Sequence, residues 1–104
     1  PTGLPTAGVG VAIPHTDVEH VHTPAVAVAV LDKPVSFSMM GMPEEKVEVQ
    51  LIFMLAIKDP QIQLEMLQNL MGLFQDQELL LKIKGATSET DIIEIITNAL
   101  EKKE

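Results

Sequence analysis

At Asp59-Pro60 the apolar pattern of the chain changes period, and that change constrains the fold more than any other feature. Upstream, residues 9–13, 25–31 and 47–57 are short runs rich in Val, Ile and Ala, of the length and composition of strands. Downstream, Ile62, Met66, Leu67, Leu70, Met71, Leu73 and Phe74 recur at three- and four-residue spacing, which lines one side of a helix. Asp59 is a helix cap and Pro60 suits the first helical position, where its missing N–H costs nothing. Asp76 caps a second, short helix, Gln77–Lys84, which Gly85 ends. Ser88 with Asp91 resembles a capping box, Asp replacing the usual Glu, ahead of Ile92, Ile93, Ile95, Ile96, Ala99 and Leu100. Strands followed by helices, with no repeat and no internal boundary, predict an α/β fold: a sheet covered by helices.

The strand half carries more specific expectations. Gly10, inside the run 9–13, predicts that neighbouring atoms pack closely there. The run 25–31 (AVAVAVL) is uniformly apolar and predicts a strand covered on both faces. Residues 47–57 (VEVQLIFMLAI) alternate at first and then turn fully apolar, which predicts a strand half exposed at its start and buried at its end. Residues 1–8, with two prolines and two glycines, read as loop, and residues 17–22 as one helical turn or loop. The stretch 33–46 reads as irregular, its Met39, Met40 and Met42 packing over the edge of the core rather than forming a partner surface.

Composition bounds the function. A chain of 104 residues suits one domain, residues 1–104, burying roughly two-thirds of its unfolded surface. There is no cysteine, hence no disulfide and no thiolate chemistry, and the expected location is cytoplasmic. A formal charge of -8 with three phenylalanines and no other aromatic residue argues against nucleic-acid binding. The longest apolar stretch, residues 51–57, is far short of the roughly 20 residues that span a bilayer. No signal peptide is recognisable. Pro1 is an unusual natural start, so an N-terminally incomplete domain is expected.

Every histidine of the chain lies in residues 15–22. Three readings are open. The histidines are solvated or structural; or His15, His20 and His22, with Asp17 or Glu19, form a metal site, although H-x4-H-x-H is not a familiar zinc spacing; or His15, directly after Pro14 at a strand end, is a nucleophile. Imidazole is a good nucleophile near neutral pH, and a second imidazole can donate hydrogen bonds to an anion held on the first. A phosphohistidine fits this arrangement, and with no Walker loop or kinase motif the phosphoryl group would come from another protein.

At these residues the chain resembles a known family. Gly10-Val11-Ala12-Ile13-Pro14-His15 is similar to the G-[IV]-[AG]-[IV]-P-H signature of the fructose–mannitol class of IIA domains of the bacterial phosphoenolpyruvate-dependent sugar phosphotransferase system. Pro1-Thr2-Gly3, Asp32-Lys33-Pro34-Val35 and residues 51–68 extend the resemblance over nearly the whole chain. His20, five residues after His15, resembles the spacing of the galactitol-specific branch.

The resemblance implies a mixed sheet of about four to five strands flanked by helices. It implies that His15 is the phosphoryl acceptor, His20 the supporting imidazole and His22 a lesser candidate, with Gly10, Pro14 and Thr16 positioning the motif. His15 would accept phosphate from the phosphocarrier protein HPr and pass it to a cysteine of the IIB component, the sugar being phosphorylated during transport through IIC. No metal or organic cofactor is implied. Mannitol-type members carry a second active-site histidine at the start of the helix after the long strand, where this chain has Gln61. Members also have about one more helix and strand upstream, with an active-site arginine that no residue here replaces. A regulatory phospho-acceptor module of the same fold, or a histidine-cluster metal-binding or structural domain, are the alternative functions.

Overall fold

The computed structural model describes residues 2–6 and 9–101, Glu101 by its backbone only. Four strands precede three helices: β1 (Thr2–Pro5), β2 (Gly10–Ala12), β3 (Ala25–Met39), β4 (Met42–Ala56), α1 (Pro60–Leu73), α2 (Gln77–Lys84) and α3 (Glu89–Glu101). A three-residue 3-10 turn, Val18–His20, lies between β2 and β3. The sheet is mixed and α/β in class. Its order is β1-β2-β4-β3, with β1 antiparallel to β2, β2 parallel to β4 and β3 antiparallel to β4. Thr2 and Gly3 also pair with Ser38 and Met39, closing the sheet on itself at the tip of the β3–β4 hairpin.

β4 carries the core. Val47, Val49, Leu51, Phe53 and Leu55 are all buried, at the period of two that sends alternate side chains to one face. Leu51, Phe53 and Leu55 join Val9, Val11 and Ile13 to Leu70, Leu73 and Phe74 of the α1 region and Leu80 and Ile83 of α2 in one cluster. The Phe53 and Phe74 rings meet with centroids 5.2 Å apart, tilted by 55°, a geometry aromatic pairs favour. A smaller cluster of Ala12, Val47 and Val49, with Phe37, Met39 and Ile52 against it, fills the sheet end nearest the hairpin tip.

The helices follow their local signals. Asp59 Oδ1 accepts the Gln61 and Ile62 amides, Asp76 Oδ1 the Leu79 amide and Ser88 Oγ the Asp91 amide. These caps satisfy N–H groups that have no partner within a helix. The Asp91 carboxylate accepts from the Thr87 hydroxyl. Gly85 ends α2 in a right-handed conformation (φ -86°), so no left-handed residue is used there.

The strand half departs from the sequence expectations in four places. Residues 2–5, read as loop, form β1, because their backbone pairs with β2 and β3, a partnership with no local sequence signal. Residues 33–46, read as irregular, are the distal half of a long hairpin that turns at Gly41, whose φ of +84° suits glycine. Met39 there is half-buried against the smaller cluster, whereas Met40 and Met42 flank the turn exposed. The run 25–31 is not covered on both faces: Ala25, Val26, Ala27 and Ala29 are exposed. The end of β4 keeps alternating too, with Met54 53% exposed beside buried Phe53 and Leu55. Among the helical residues expected in the core, Ile62, Met71 and Ile93 are exposed, while Ile92, Ile95 and Ile96 pack against it.

Replacing Phe53 by Ala should cost about 3–5 kcal/mol, through lost burial and the cavity left beside Phe74. Met54→Ala, on the open face, should cost under about 1 kcal/mol. Urea unfolding of the two variants checks the contrast.

Candidate functional site

β2 is a three-residue strand held on both sides, by β1 and by β4. Gly10 makes this possible: a Cβ there would lie 2.0 Å from the backbone oxygen of Glu48, a separation no side chain allows. The pairing with β4 shifts register between Gly10 and Val11, so Val11 meets Leu51 and Ala12 meets Ile52. Val11, Ala12 and Ile13 are buried, and they anchor the segment that follows. The close packing expected at Gly10 is therefore present.

Pro14 and His15 leave the strand without leaving β4. The Leu55 amide donates to the Pro14 carbonyl at 2.9 Å, and His15 forms an isolated parallel bridge with Leu55. Because β2 lies inside the sheet order, His15 sits at its C-terminal end rather than at a lateral edge. The ring is oriented by its own backbone: His15 Nδ1 is 3.0 Å from the Ile13 carbonyl oxygen. A carbonyl only accepts, so Nδ1 carries the proton, and in the neutral ring Nε2 keeps the free lone pair. His15 is exposed, like Thr16 and Asp17 after it.

The loop then tightens. The His20 amide donates to the Asp17 carbonyl at 3.0 Å and the Val21 amide to the Val18 carbonyl at 3.1 Å, while buried Val21 pins the turn to the body. Of the two alternatives for residues 17–22, a helical turn is present. His20 is exposed with Nε2 3.7 Å from Glu19 Oε1, and His22 is exposed. Asp17, Glu19 and His20 have ligand-type atoms within 4.8 Å of one another, and all three are solvated. His15 and His22 are not in that group, so the three histidines do not assemble the donor set that their proximity in sequence offers. Gln61 is an exposed first-turn residue of α1 whose backbone amide is taken by Asp59. Two positions on, Gln63 buries its side-chain oxygen with no hydrogen-bond partner among the described residues.

Residues 1–99, which include the strand, the Pro14–His15 corner and all three histidines, match the family model described as phosphoenolpyruvate-dependent sugar phosphotransferase system, EIIA 2. The chain belongs to that family. It is therefore a phosphotransfer IIA component of a sugar phosphotransferase system, and the mixed sheet with three helices agrees with that fold. The comparison with curated proteins found no match. Among the described residues no helix is long and apolar enough to cross a membrane. The residues that sequence reasoning missed at the site are Leu55 and Ile13, which act through backbone atoms; only their position next to the motif could have marked them.

The ring geometry makes a direct expectation. Long-range ¹H–¹⁵N spectra of the neutral His15 ring should show a protonated Nδ1 and a bare Nε2, whereas exposed His22 should show the Nε2-protonated form usual for free imidazole. A protonated Nε2 at His15 would contradict the hydrogen bond to Ile13.

Proposed function

We propose that His15 is the phosphoryl acceptor of this IIA component, receiving phosphate from phospho-HPr and passing it to a cysteine of a IIB component. The observation that carries the reading is the His15 ring itself. It is exposed to a protein partner, its Nδ1 is held on the Ile13 carbonyl, and its Nε2 lone pair is free. In the first step Nε2 forms the new N–P bond while the donor's N–P bond breaks, its electron pair returning to the donor imidazole. Transfer onward reverses the roles, with a thiolate as nucleophile and the His15 ring leaving as neutral imidazole. Such chemistry needs positioning and charge stabilisation rather than an internal catalyst. A main chain pinned by Leu55 and Ile13 supplies the positioning. In this reading Gly10 admits β4, Pro14 sets the corner and Thr16 begins the exposed loop, and the carrier unit is the single domain of residues 1–104.

The spacing of His15 and His20 supports a galactitol-like polyol as the sugar of the system. In this reading His20, exposed beside Glu19 in the Val18–His20 turn, supplies a ring N–H to a phosphoryl group on His15. Phosphorylation brings close to two negative charges, which a charge-assisted hydrogen bond shares.

Incubation with enzyme I, HPr and phosphoenolpyruvate should add one acid-labile phosphate, located on Nε2 of His15 by ³¹P and ¹⁵N spectra. His15→Ala should take up none, and equal labelling of that variant and the unaltered chain would reject the assignment.

His20→Ala should leave the fold intact and slow transfer to IIB by roughly tenfold to a hundredfold, the scale of one lost charge-assisted hydrogen bond of ~1.5–3 kcal/mol. His22→Ala should change the rate far less. Stopped transfer assays with radiolabelled phosphate distinguish the two, and the opposite ranking would make His22 the supporting ring.

A further inference from the structure

We infer that the side-chain amide of Gln63 donates a hydrogen bond to a phosphoryl group carried on His15, a role that rests on His15 being the acceptor. Parallel pairing brings the two residues to one end of the sheet. Val11 pairs with Leu51 and His15 with Leu55, so Val11, Ile13 and His15 alternate onto the face that Leu51 and Leu55 share. α1 covers that face through Leu70 and Leu73. β4 ends at Ala56 and α1 begins at Pro60, which stands the first turn of α1 over the strand ends where His15 leaves β2.

Within that turn the usual order of polar and apolar residues is inverted. Ile62 and Leu64 are each 50% exposed, while Gln63 between them is half-buried. Gln63 precedes Met66, Leu67 and Leu70 at helical spacing, so it extends the stripe of α1 that packs on the sheet. Its main-chain N–H donates to the Asp59 carbonyl at 2.9 Å, which fixes the turn. Its side-chain oxygen is buried with no hydrogen-bond partner among the described residues. An unpaired buried oxygen costs stability that an apolar side chain at the same place would not lose. A polar residue held there at a cost points to a use for the other end of its amide.

That other end is a nitrogen with two N–H donors. It is not fully buried and makes no hydrogen bond among the described residues. The helix end itself has little left to offer an anion, because Asp59 Oδ1 already takes the Gln61 and Ile62 amides. A phosphoryl group on His15 Nε2 therefore has to find its donors on side chains, and N–H groups bonded to charged oxygens are the strong kind. Gln63 takes no proton and forms no bond to phosphorus. It binds a phosphoryl oxygen while the group rests on His15, and as a neutral donor it adds no charge that onward transfer would have to part from.

Phosphorylation of the unaltered chain by enzyme I, HPr and phosphoenolpyruvate should shift the side-chain ¹H–¹⁵N signals of Gln63 and leave those of exposed Gln68 in place. Gln63→Leu removes the unpaired oxygen and should raise the melting temperature, yet it should slow phosphorylation of His15 and shorten the phosphohistidine lifetime, each by roughly tenfold. Gln63→Glu, similar in size but only an acceptor when ionised, should slow phosphorylation at least as much. Gln63 signals that stay in place, either variant matching the unaltered chain, or a loss in Gln63→Leu that only tracks a lowered melting temperature would each leave Gln63 a packing role alone. Label on a residue other than His15 in the unaltered chain would reject the acceptor itself, and Gln63 with it. Label on His15 with unmoved Gln63 signals would reject only the role of Gln63, and that spectrum of the unaltered chain decides even if a variant unfolds.

Discussion

The parallel pairing of β2 with β4 is the contact on which the rest of this molecule depends. It joins residues 10–12 to residues 49–52, with β3, the hairpin turn and the start of β4 closed between them. Parallel strands need a long connection, so the chain spends loop-closure entropy before this pairing rewards it. The reward is specific to one backbone position, because at Gly10 the two strands come too close for any side chain. Once β2 is seated, Val11 and Ile13 complete the face of Leu51, Phe53 and Leu55 on which the helices pack. A fold with so short a second strand holds together because that strand is buried and paired on both sides.

The same contact builds the site. β4 outlasts β2, so after Ala12 the chain still has a backbone to lean on, and Pro14 and His15 are steered by Leu55 instead of drifting into the loop. A phosphoryl carrier has to meet two different proteins with one atom. The proposed role asks for a nucleophile that is exposed yet fixed in direction, and the His15 ring is exposed while its Nδ1–H donates to the Ile13 carbonyl. No side chain has to be sacrificed to orient the ring, which leaves the surrounding surface free to be shaped by partners. The acidic balance of the chain suits basic partner surfaces, with charge acting on encounter rates more than on the site's geometry.

β3 shows the opposite economy. Among the described residues β4 pairs with β2 and β3, while β3 pairs with β4 along most of its length and with β1 only at Ser38 and Met39. Residues 25–30 keep an unbroken register with residues 51–56 of β4, with Val28 and Val30 turned to the core and the alanines to the other face.

The helices were legible in the sequence because their signals are local: Asp59, Asp76 and Ser88 each bond amides within three residues, and Pro60 needs no partner at all. The central strand was legible from its apolar residues, although its last half was read as fully buried when Met54 faces out. β1 and the distal hairpin were not legible, since Thr2–Pro5 and residues 33–46 become strands only through hydrogen bonds to distant backbone, and mixed polar, proline and methionine residues carry no period that announces this. At the site, the Pro14–His15 corner after a glycine-containing strand was readable, and the structure has it at the end of β2, leaning on β4. What the sequence by itself determined is which residues could take part: one histidine at a strand end, two more within a turn, and helix caps that start where they are written. Tertiary structure decided how the Pro14–His15 corner is held and which histidines stand together, because the first rests on the amide of Leu55, far along the chain, and the second on a turn pinned by buried Val21, and neither partner is marked in the local sequence.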